Sequence, residues 1–472
     1  MVTLTSEETP PELLSRRRLF LLSCISLVVT AMTFAIRAGI LGQLNTEFGL
    51  PDTQLGWING MAFLGFPLAM VLFGFLYNYL GPKKIMILAF VGHLLGLVLT
   101  LTATGFLTLL ISTFFIGFAN GSVEAACNPM VAELYKDEKT KWLNRFHVWF
   151  PGGIVIGASI SYVMTQWGLG WQPQIAIMII PTLIYGYMIF TTKFPVTVQT
   201  SGKGIDLSLT GIGLVAAIFG LMALIGTPNT LIGGLPGGIL LPLLLVLALT
   251  FYLIFYRTGR LRDAALVLVL MAIMSMTATS ELGTQQWVDR ILGAQLGGIP
   301  GQAMIVLGMV TGIMAVGRFF AGPLIHAFNP LGVLLASAVG TTLGLFLMSS
   351  ATGGMVYVSA IIFAVGVCYF WPTMIGVTAQ YIPTSGALGM SLVGAAGMFA
   401  LTFWNPVIGS WIDSARAEAI SGGAVERDIE MAAGQAALSK LVLFPAILIA
   451  VFLILFFLRK WIAATSGVSA ND

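Results

Sequence analysis

Glu124 and Asn128 stand four residues apart in an apolar stretch of this 472-residue chain, and Pro129 follows directly. That spacing puts the carboxylate and the amide on one helix face. The surrounding stretch, Leu107 to Val131, is long enough to cross a bilayer. A charged side chain at that depth costs at least about 2.5 kcal/mol, so it usually marks a solute or ion path. Proline removes a backbone hydrogen bond and kinks the helix, which is tolerated beside a cavity. The pair reads either as a polar clasp between helices or as a solute- or proton-binding position.

Other apolar stretches hold isolated polar residues of the same kind. Arg37 lies mid-stretch in Ile36-Arg37-Ala38-Gly39, with no acid near it in its own helix. A guanidinium stays charged and requires a partner. That partner is Glu124 or Glu281, or else a carboxylate, phosphate or hydroxyl of a bound solute. Glu281 and Gln285 share a helix face, with Gln286 beside it. Each carboxamide offers a donor and an acceptor, the combination that hydroxyl-rich solutes use. Asn144 and His147 are three residues apart, and histidine titrates near neutral pH. Trp371 stands beside Pro372 and supplies a flat ring face.

These residues form the expected substrate-binding set: Arg37, Glu124, Asn128, Asn144, His147, Glu281, Gln285, Gln286 and Trp371. Glu133, Arg145 and Arg318 are expected to gate, the first two as a pair across one loop. Asp289 and Arg290 are expected at an outer, solvated rim. His93 reads as a packing residue.

The elements that must position these groups are membrane helices. The chain is 57% hydrophobic and only 9% charged, whereas a soluble domain carries about 25% charged residues. Apolar runs long enough to span fall near 19–45, 54–78, 84–104, 107–133, 146–167 and 172–193. Two more fall near 208–227 and 231–257. Six follow near 264–290, 302–326, 331–350, 355–380, 387–411 and 438–460. The layout is six, two, six: an all-α polytopic membrane protein with about 14 spans. Its expected divisions are a bundle at 1–195, a linker with two extra helices at 196–262, and a second bundle at 263–472. The segment between Asp413 and Lys440 is expected to form a short amphipathic helix at the outer face.

Basic residues cluster at Arg16-Arg17-Arg18, Lys83-Lys84, Lys136 to Lys141, Lys193 and Lys203, Arg257 to Arg262, and Arg459-Lys460. With this span count all of them fall on one side. The positive-inside rule then puts both termini in the cytoplasm of a cell inner (plasma) membrane. The first apolar run continues past Ala35 without a small-residue cleavage site, so it reads as an uncleaved helix.

Several function classes drop out. There is no basic stripe for nucleic acid. Cys24, Cys127 and Cys368 are irregularly spaced in apolar segments, neither a disulfide framework nor a metal site. No Ser/His/Asp arrangement is placed for chemistry, so neither an enzyme nor a cofactor is expected. A membrane sensor that binds a solute without moving it stays open, although no sizeable cytoplasmic domain accompanies it.

The two outer blocks repeat. Gly74 and Gly317 are 243 residues apart, and so are Pro129 and Pro372. Six-helix halves in parallel repeat, with binding near the midplane, describe the major facilitator architecture. Gly74-xxx-Asn78-xx-Gly81-x-Lys83-Lys84 resembles that superfamily's loop between helices 2 and 3, with Asn78 in place of the usual acid. More narrowly, Glu124-xxx-Asn128-Pro129, Leu143-Asn144 and Gly152-Gly153-xxx-Gly157 resemble the fucose:proton symporter family. Glu281 ahead of Trp287, Val316-Gly317-Arg318-Phe319-xx-Gly322 and Pro372-Thr373 fit the same family.

The resemblance implies alternating-access transport of a hexose, a deoxyhexose or a similar polar solute. It also implies proton coupling through a carboxylate in helix 1 and the acid matching Glu124; Glu281, by its depth in its own span, is the second candidate carrier in this chain. The expected partners are therefore a sugar-like small molecule, protons and the lipid bilayer, with the chain acting as a monomer. Where the fucose symporters carry an acid in helix 1, this chain carries Arg37. An organic-anion or drug transporter of the same fold, with Arg37 as anion clamp, is the alternative.

Overall fold

A computed structural model describes residues 10–135, 139–195, 255, 259–382 and 385–466. Among the described residues, twelve helices are long and apolar enough to span a membrane. Six precede the linker: α1 (Ser15–Phe48), α2 (Asp52–Phe73), α3 (Leu80–Leu101), α4 (Phe106–Val131), α5 (Arg145–Gln166) and α6 (Trp171–Thr191). Six follow it: α7 (Leu261–Gln286), α8 (Gln302–Phe319), α9 (Asn329–Met348), α10 (Gly354–Thr378), α11 (Leu392–Ser421) and α12 (Glu426–Arg459). The expected spans at 208–227 and 231–257 lie outside the described residues, apart from Phe255. Pro129 and Pro372 both fall in the fourth span of their half, as the repeat requires.

Composition explains which helices sit at the periphery. On α3, Leu88, Val91, Leu95 and Val98 are all between 40% and 51% exposed, and their spacing makes one apolar stripe. In water such a stripe would be covered. Against lipid tails it is the stable surface, because the hydrocarbon is as apolar as leucine. Helices α6 and α12 present Leu183, Tyr187 and Phe190, and Leu453, Ile454 and Phe457, in the same way.

Inside, helix α2 runs against α11, and α5 against α8. These are equivalent contacts in the repeat, because α8 matches α2 and α11 matches α5. The α2–α11 contact is backbone-close. A Cβ placed on Gly56 would lie 2.5 Å from the Asn405 carbonyl oxygen, and one on Gly60 would lie 2.5 Å from that of Thr402. Only glycine permits this approach. An apolar cluster of Phe34, Phe63, Phe66, Leu282, Met398 and Leu401 then seals the interface between the halves.

Two details depart from the sequence expectation. The Asp413–Lys440 segment is helical in two parts, and a 16-residue helix, Glu426–Leu441, makes up only the second; a break at Val442 separates it from Leu443–Ser466. Helix α11 continues to Ser421 and α12 begins at Glu426, with a turn at Gly422-Gly423 between them. The Ala-rich sequence favours helix throughout, and Arg416 clips the two ends together by two hydrogen bonds to Glu430, 2.7 and 3.0 Å long. The second departure is in α7, which winds as a π-helix over Thr279–Gly283. Such bulges are rare and concentrate at functional sites. Glu281 is at its centre.

Candidate functional site

The polar residues of the sequence analysis assemble into two buried groups and one ladder. The first group joins the two halves. Arg37 on α1 donates from Nε to Asn59 Oδ1 at 2.9 Å and from Nη2 to Gln286 Oε1 at 3.0 Å. Arg37 and Asn59 belong to the first half and Gln286 to the second. The guanidinium carbon is 5.1 Å from the Phe34 ring centroid, a cation–π distance. Arg37 Nη1 and Asn59 Nδ2 are buried without a hydrogen-bond partner.

The second group lies within the second half. Glu281 Oε1 accepts from Arg318 Nη2 at 3.0 Å, and Arg318 Nε donates to the Cys368 carbonyl at 2.9 Å. Glu281 Oε2 is buried and unpartnered. Arg318 was expected to gate; here it is the counter-ion of Glu281. The sequence options for an Arg37 partner included Glu281, but in this structure Arg318 holds that carboxylate and two amides hold Arg37. Gln285 is buried, with its Nε2 3.5 Å from Met314 Sδ.

The ladder runs along α4 towards the end that carries the basic loops. Asn128 Nδ2 donates to Glu124 Oε2 at 2.7 Å, and Asn128 Oδ1 lies 2.9 Å from His147 Nε2. Glu124 is buried, Asn128 half-buried and His147 exposed. The structure thus brings Glu124, Asn128 and His147 together. The side chain of Asn144 lies outside the described residues. Trp371 is half-buried and packs towards the phenylalanine cluster between the halves.

The expected Glu133–Arg145 pair is not what these residues form here. Glu133 accepts from the Tyr77 hydroxyl at 3.4 Å, and Arg145 lies over the Trp142 ring, 4.9 Å from its centroid. Both residues are exposed, where a lone ion pair contributes little.

Asp289 and Arg290 lie at the end opposite the basic loops, as expected, but Arg290 is not simply solvated. Arg290 donates to both oxygens of the buried Asp52, each at 2.9 Å. Arg416 reaches the same carboxylate at 2.8 Å. Asp413 caps the start of α2, accepting from the backbone N–H of Asp52 at 2.9 Å and of Thr53 at 2.8 Å. These first N–H groups of a helix have no partner within it and favour a carboxylate. One charge cluster therefore ties α2 of the first half to α11, α12 and the short helix Val288–Leu292 after α7 in the second. Gln166 at the end of α5 adds a 2.6 Å bond to the Pro300 carbonyl. The halves are closed at this end.

Two site features were missed by the sequence reading. Asn59 is a lone amide in the apolar run Trp57-Ile58-Asn59-Gly60, and the criterion that found Gln286 would have found it. The cluster around Asp52 had no such signal, because its members are scattered from 52 to 430. His93, read as packing, is fully buried on α3, with Nδ1 2.7 Å from the Tyr185 hydroxyl and Nε2 2.7 Å from Asn120 Oδ1. Asn120 passes the network to Thr33 at 2.9 Å. Among the described residues, no group of three or more His, Cys, Asp or Glu is placed to hold a metal ion.

The sequence profile of the Major Facilitator Superfamily matches residues 22–293. Two curated relatives are the zebrafish (Danio rerio) solute carrier family 2, facilitated glucose transporter member 10, and the D-xylose transporter of Levilactobacillus brevis. The first is 28% identical over 159 residues, 33% of this chain and 31% of that one. The second is 23% identical over 148 residues, 31% of this chain and 32% of that one. The chain thus spans about a third of the length of these relatives. Among solved structures, the nucleoside transporter NupG covers 94% of this chain at a TM-score of 0.65 and 13% identity, with 99% of its own chain matched. A D-xylose–proton symporter covers 90% at a TM-score of 0.63 and 14% identity, with 97% of its own chain matched. At such identities the likeness is one of fold.

Proposed function

The chain belongs to the major facilitator superfamily and is a membrane transporter, not an enzyme; on that premise we propose that it moves a monosaccharide or similar polar solute by proton-coupled alternating access. The observation that carries this reading is the Arg37–Asn59–Gln286 group, in which polar side chains from both halves meet deep inside apolar spans. A carrier of this architecture works by rocking one half against the other around a site near the midplane. Polar contacts that bridge the halves there are the ones a solute replaces.

The amides Asn59, Asn128, Gln285 and Gln286 match hydroxyl groups because each both donates and accepts. Trp371 supplies a face for the solute's apolar side. Curated relatives include a facilitated glucose transporter, a D-xylose transporter and a putative niacin/nicotinamide transporter of Bacillus subtilis, which supports a small polar solute of about sugar size. The finer kinship with the fucose:proton symporters rests on Glu124, Asn128 and Pro129 and on the helix 5 glycines. Glu124 and Glu281 are the proton carriers in this reading, since each is a carboxylate buried in an otherwise apolar span. By the positive-inside rule the basic loops are cytoplasmic, so the Asp52 cluster closes the outer end. The chain acts as a monomer in the plasma membrane.

The test is counterflow of radiolabelled sugars into proteoliposomes, with unlabelled sugar inside and no ion gradient. Accumulation that disappears in Asn59→Ala or Glu124→Gln supports a sugar carrier with this site. Folded protein that exchanges no sugar and no sugar derivative overturns it.

A further inference from the structure

Two unpartnered donors on hydrogen-bonded neighbours between the halves say more about the solute than its size. Arg37 Nη1 and Asn59 Nδ2 are both buried and both without an acceptor. They belong to hydrogen-bonded neighbours, since Asn59 Oδ1 accepts from Arg37 Nε at 2.9 Å. The other Arg37 contacts are to the neutral Gln286 amide at 3.0 Å and to the face of Phe34. No described carboxylate pairs with this guanidinium. Glu281 is held by Arg318, and the described partner of Glu124 is Asn128. A permanent cation therefore lies in an apolar seam with its two amide neighbours satisfying only part of it.

Buried charges in proteins are paired, and a buried donor without an acceptor is costly to maintain. A neutral sugar hydroxyl would satisfy one donor but leave the charge uncompensated. A carboxylate supplies a charged acceptor to the free Nη1, has a second oxygen left for a further donor, and cancels the charge. A phosphate monoester is a worse fit. It brings three acceptor oxygens and about two negative charges near pH 7 to one cation and two free donors.

We propose that the solute carries a carboxylate, which Arg37 and Asn59 receive between the halves while the remaining amides take its hydroxyls. The substrate class is then a sugar acid, a hexuronate or an aldonate, and not a neutral hexose. This inference rests on the carrier reading above and deepens it. It also assigns a role to Gln286. As the neutral acceptor from the opposite half, it holds Nη2 in place without competing for the charge.

The test uses the full-length protein in proteoliposomes, preloaded with D-glucose, D-glucuronate, D-gluconate or glucose 6-phosphate, and follows entry of the labelled form of each. The expected result is exchange of an acid, with the matched neutral sugar competing at least about tenfold more weakly, the discrimination expected when a charged fork loses its anion. Arg37→Lys, which keeps the charge but not the fork, is expected to reduce acid exchange by a similar factor. Gln286→Glu gives a readout that needs no solute. It supplies Arg37 with a built-in carboxylate, so the thermal midpoint is expected to shift upwards and acid exchange to be lost.

Exchange of neutral sugars that is unaffected by Arg37→Lys would overturn the carboxylate assignment and leave the carrier reading standing. Preference for glucose 6-phosphate would also overturn it. A lower thermal midpoint in Gln286→Glu with acid exchange retained would overturn the pairing of Arg37 with the solute's charge. Exchange of none of the four compounds by protein with a wild-type melting curve would remove the carrier reading and this inference together.

Discussion

Asp52 at the start of α2 receives Arg290 through both of its oxygens, each at 2.9 Å, across the boundary between the two halves. Arg416 approaches the same carboxylate at 2.8 Å, and Asp52 itself is fully buried. The carboxylate is thus shared by two cations that both come from the opposite half. Removing one member of a buried, hydrogen-bonded pair costs about 3–5 kcal/mol, because the remaining charge is stranded. That amount is enough to shift a two-state equilibrium between closed and open by more than a hundredfold.

Asp52→Asn is therefore expected to open the end of the protein that is closed here. Spin labels at Thr46→Cys and Ser414→Cys, both exposed near that end, would report it. The inter-label distance distribution is expected to lengthen in Asp52→Asn. An unchanged distribution would mean that helix packing, not the charge cluster, keeps the halves together. The three native cysteines are buried, which favours selective labelling.

Helix packing at the same end makes a separate prediction. A methyl group on Gly60 would meet the Thr402 carbonyl at 2.5 Å, and backbone cannot swing aside as a side chain can. Overpacking of this kind typically costs about 1–3 kcal/mol. Gly60→Ala is expected to disfavour the closed state and slow transport, whereas Gly152→Ala, whose Cβ would meet nothing within 4 Å, is expected to transport normally. Equal rates for both variants would show that α2 and α11 can part at no cost to the cycle.

The Glu281–Arg318 pair separates coupling from folding. Glu281→Gln keeps an acceptor for Arg318 and removes a protonatable group, so counterflow is expected to persist while accumulation driven by a pH gradient falls. Arg318→Ala strands the carboxylate instead, and a loss of about 3–5 kcal/mol in stability is expected. Gradient-driven uptake that survives in Glu281→Gln would assign coupling to Glu124 alone.

His93 provides a structural contrast. Its ring is bonded at both nitrogens, at 2.7 Å each, to Tyr185 and Asn120, and lies away from the seam between the halves. His93→Ala leaves two buried partners unsatisfied, at about 1–3 kcal/mol each. A lower thermal midpoint with unchanged apparent affinity for solute is the expected result. A changed affinity at wild-type stability would contradict the packing role.

Much of the fold was legible in the chain because bilayer insertion is decided locally. An apolar run of sufficient length has no other stable position, and a backbone in lipid has to satisfy its own hydrogen bonds. The span order and the 243-residue repeat follow from composition read along one dimension. So did the intra-helical Glu124–Asn128 pair, whose two members are four residues apart and meet at 2.7 Å.

Partner choice between helices was not legible, because it depends on which faces meet. Arg37 had Glu124 and Glu281 as plausible counter-ions, and the folded chain gives it Asn59 and Gln286 instead, 22 and 249 residues away. Asp52 falls between the spans expected at 19–45 and 54–78, yet packing against α11 and the segment after α7 buries it between Arg290 and Arg416. The sequence by itself determined that this is a polytopic membrane protein of two repeated six-helix blocks with charged residues inside its apolar spans. Only the tertiary structure decided which of those charges are cancelled and that Arg37 is left open, because electrostatic pairing acts over a few ångströms and helix packing alone brings residues that close.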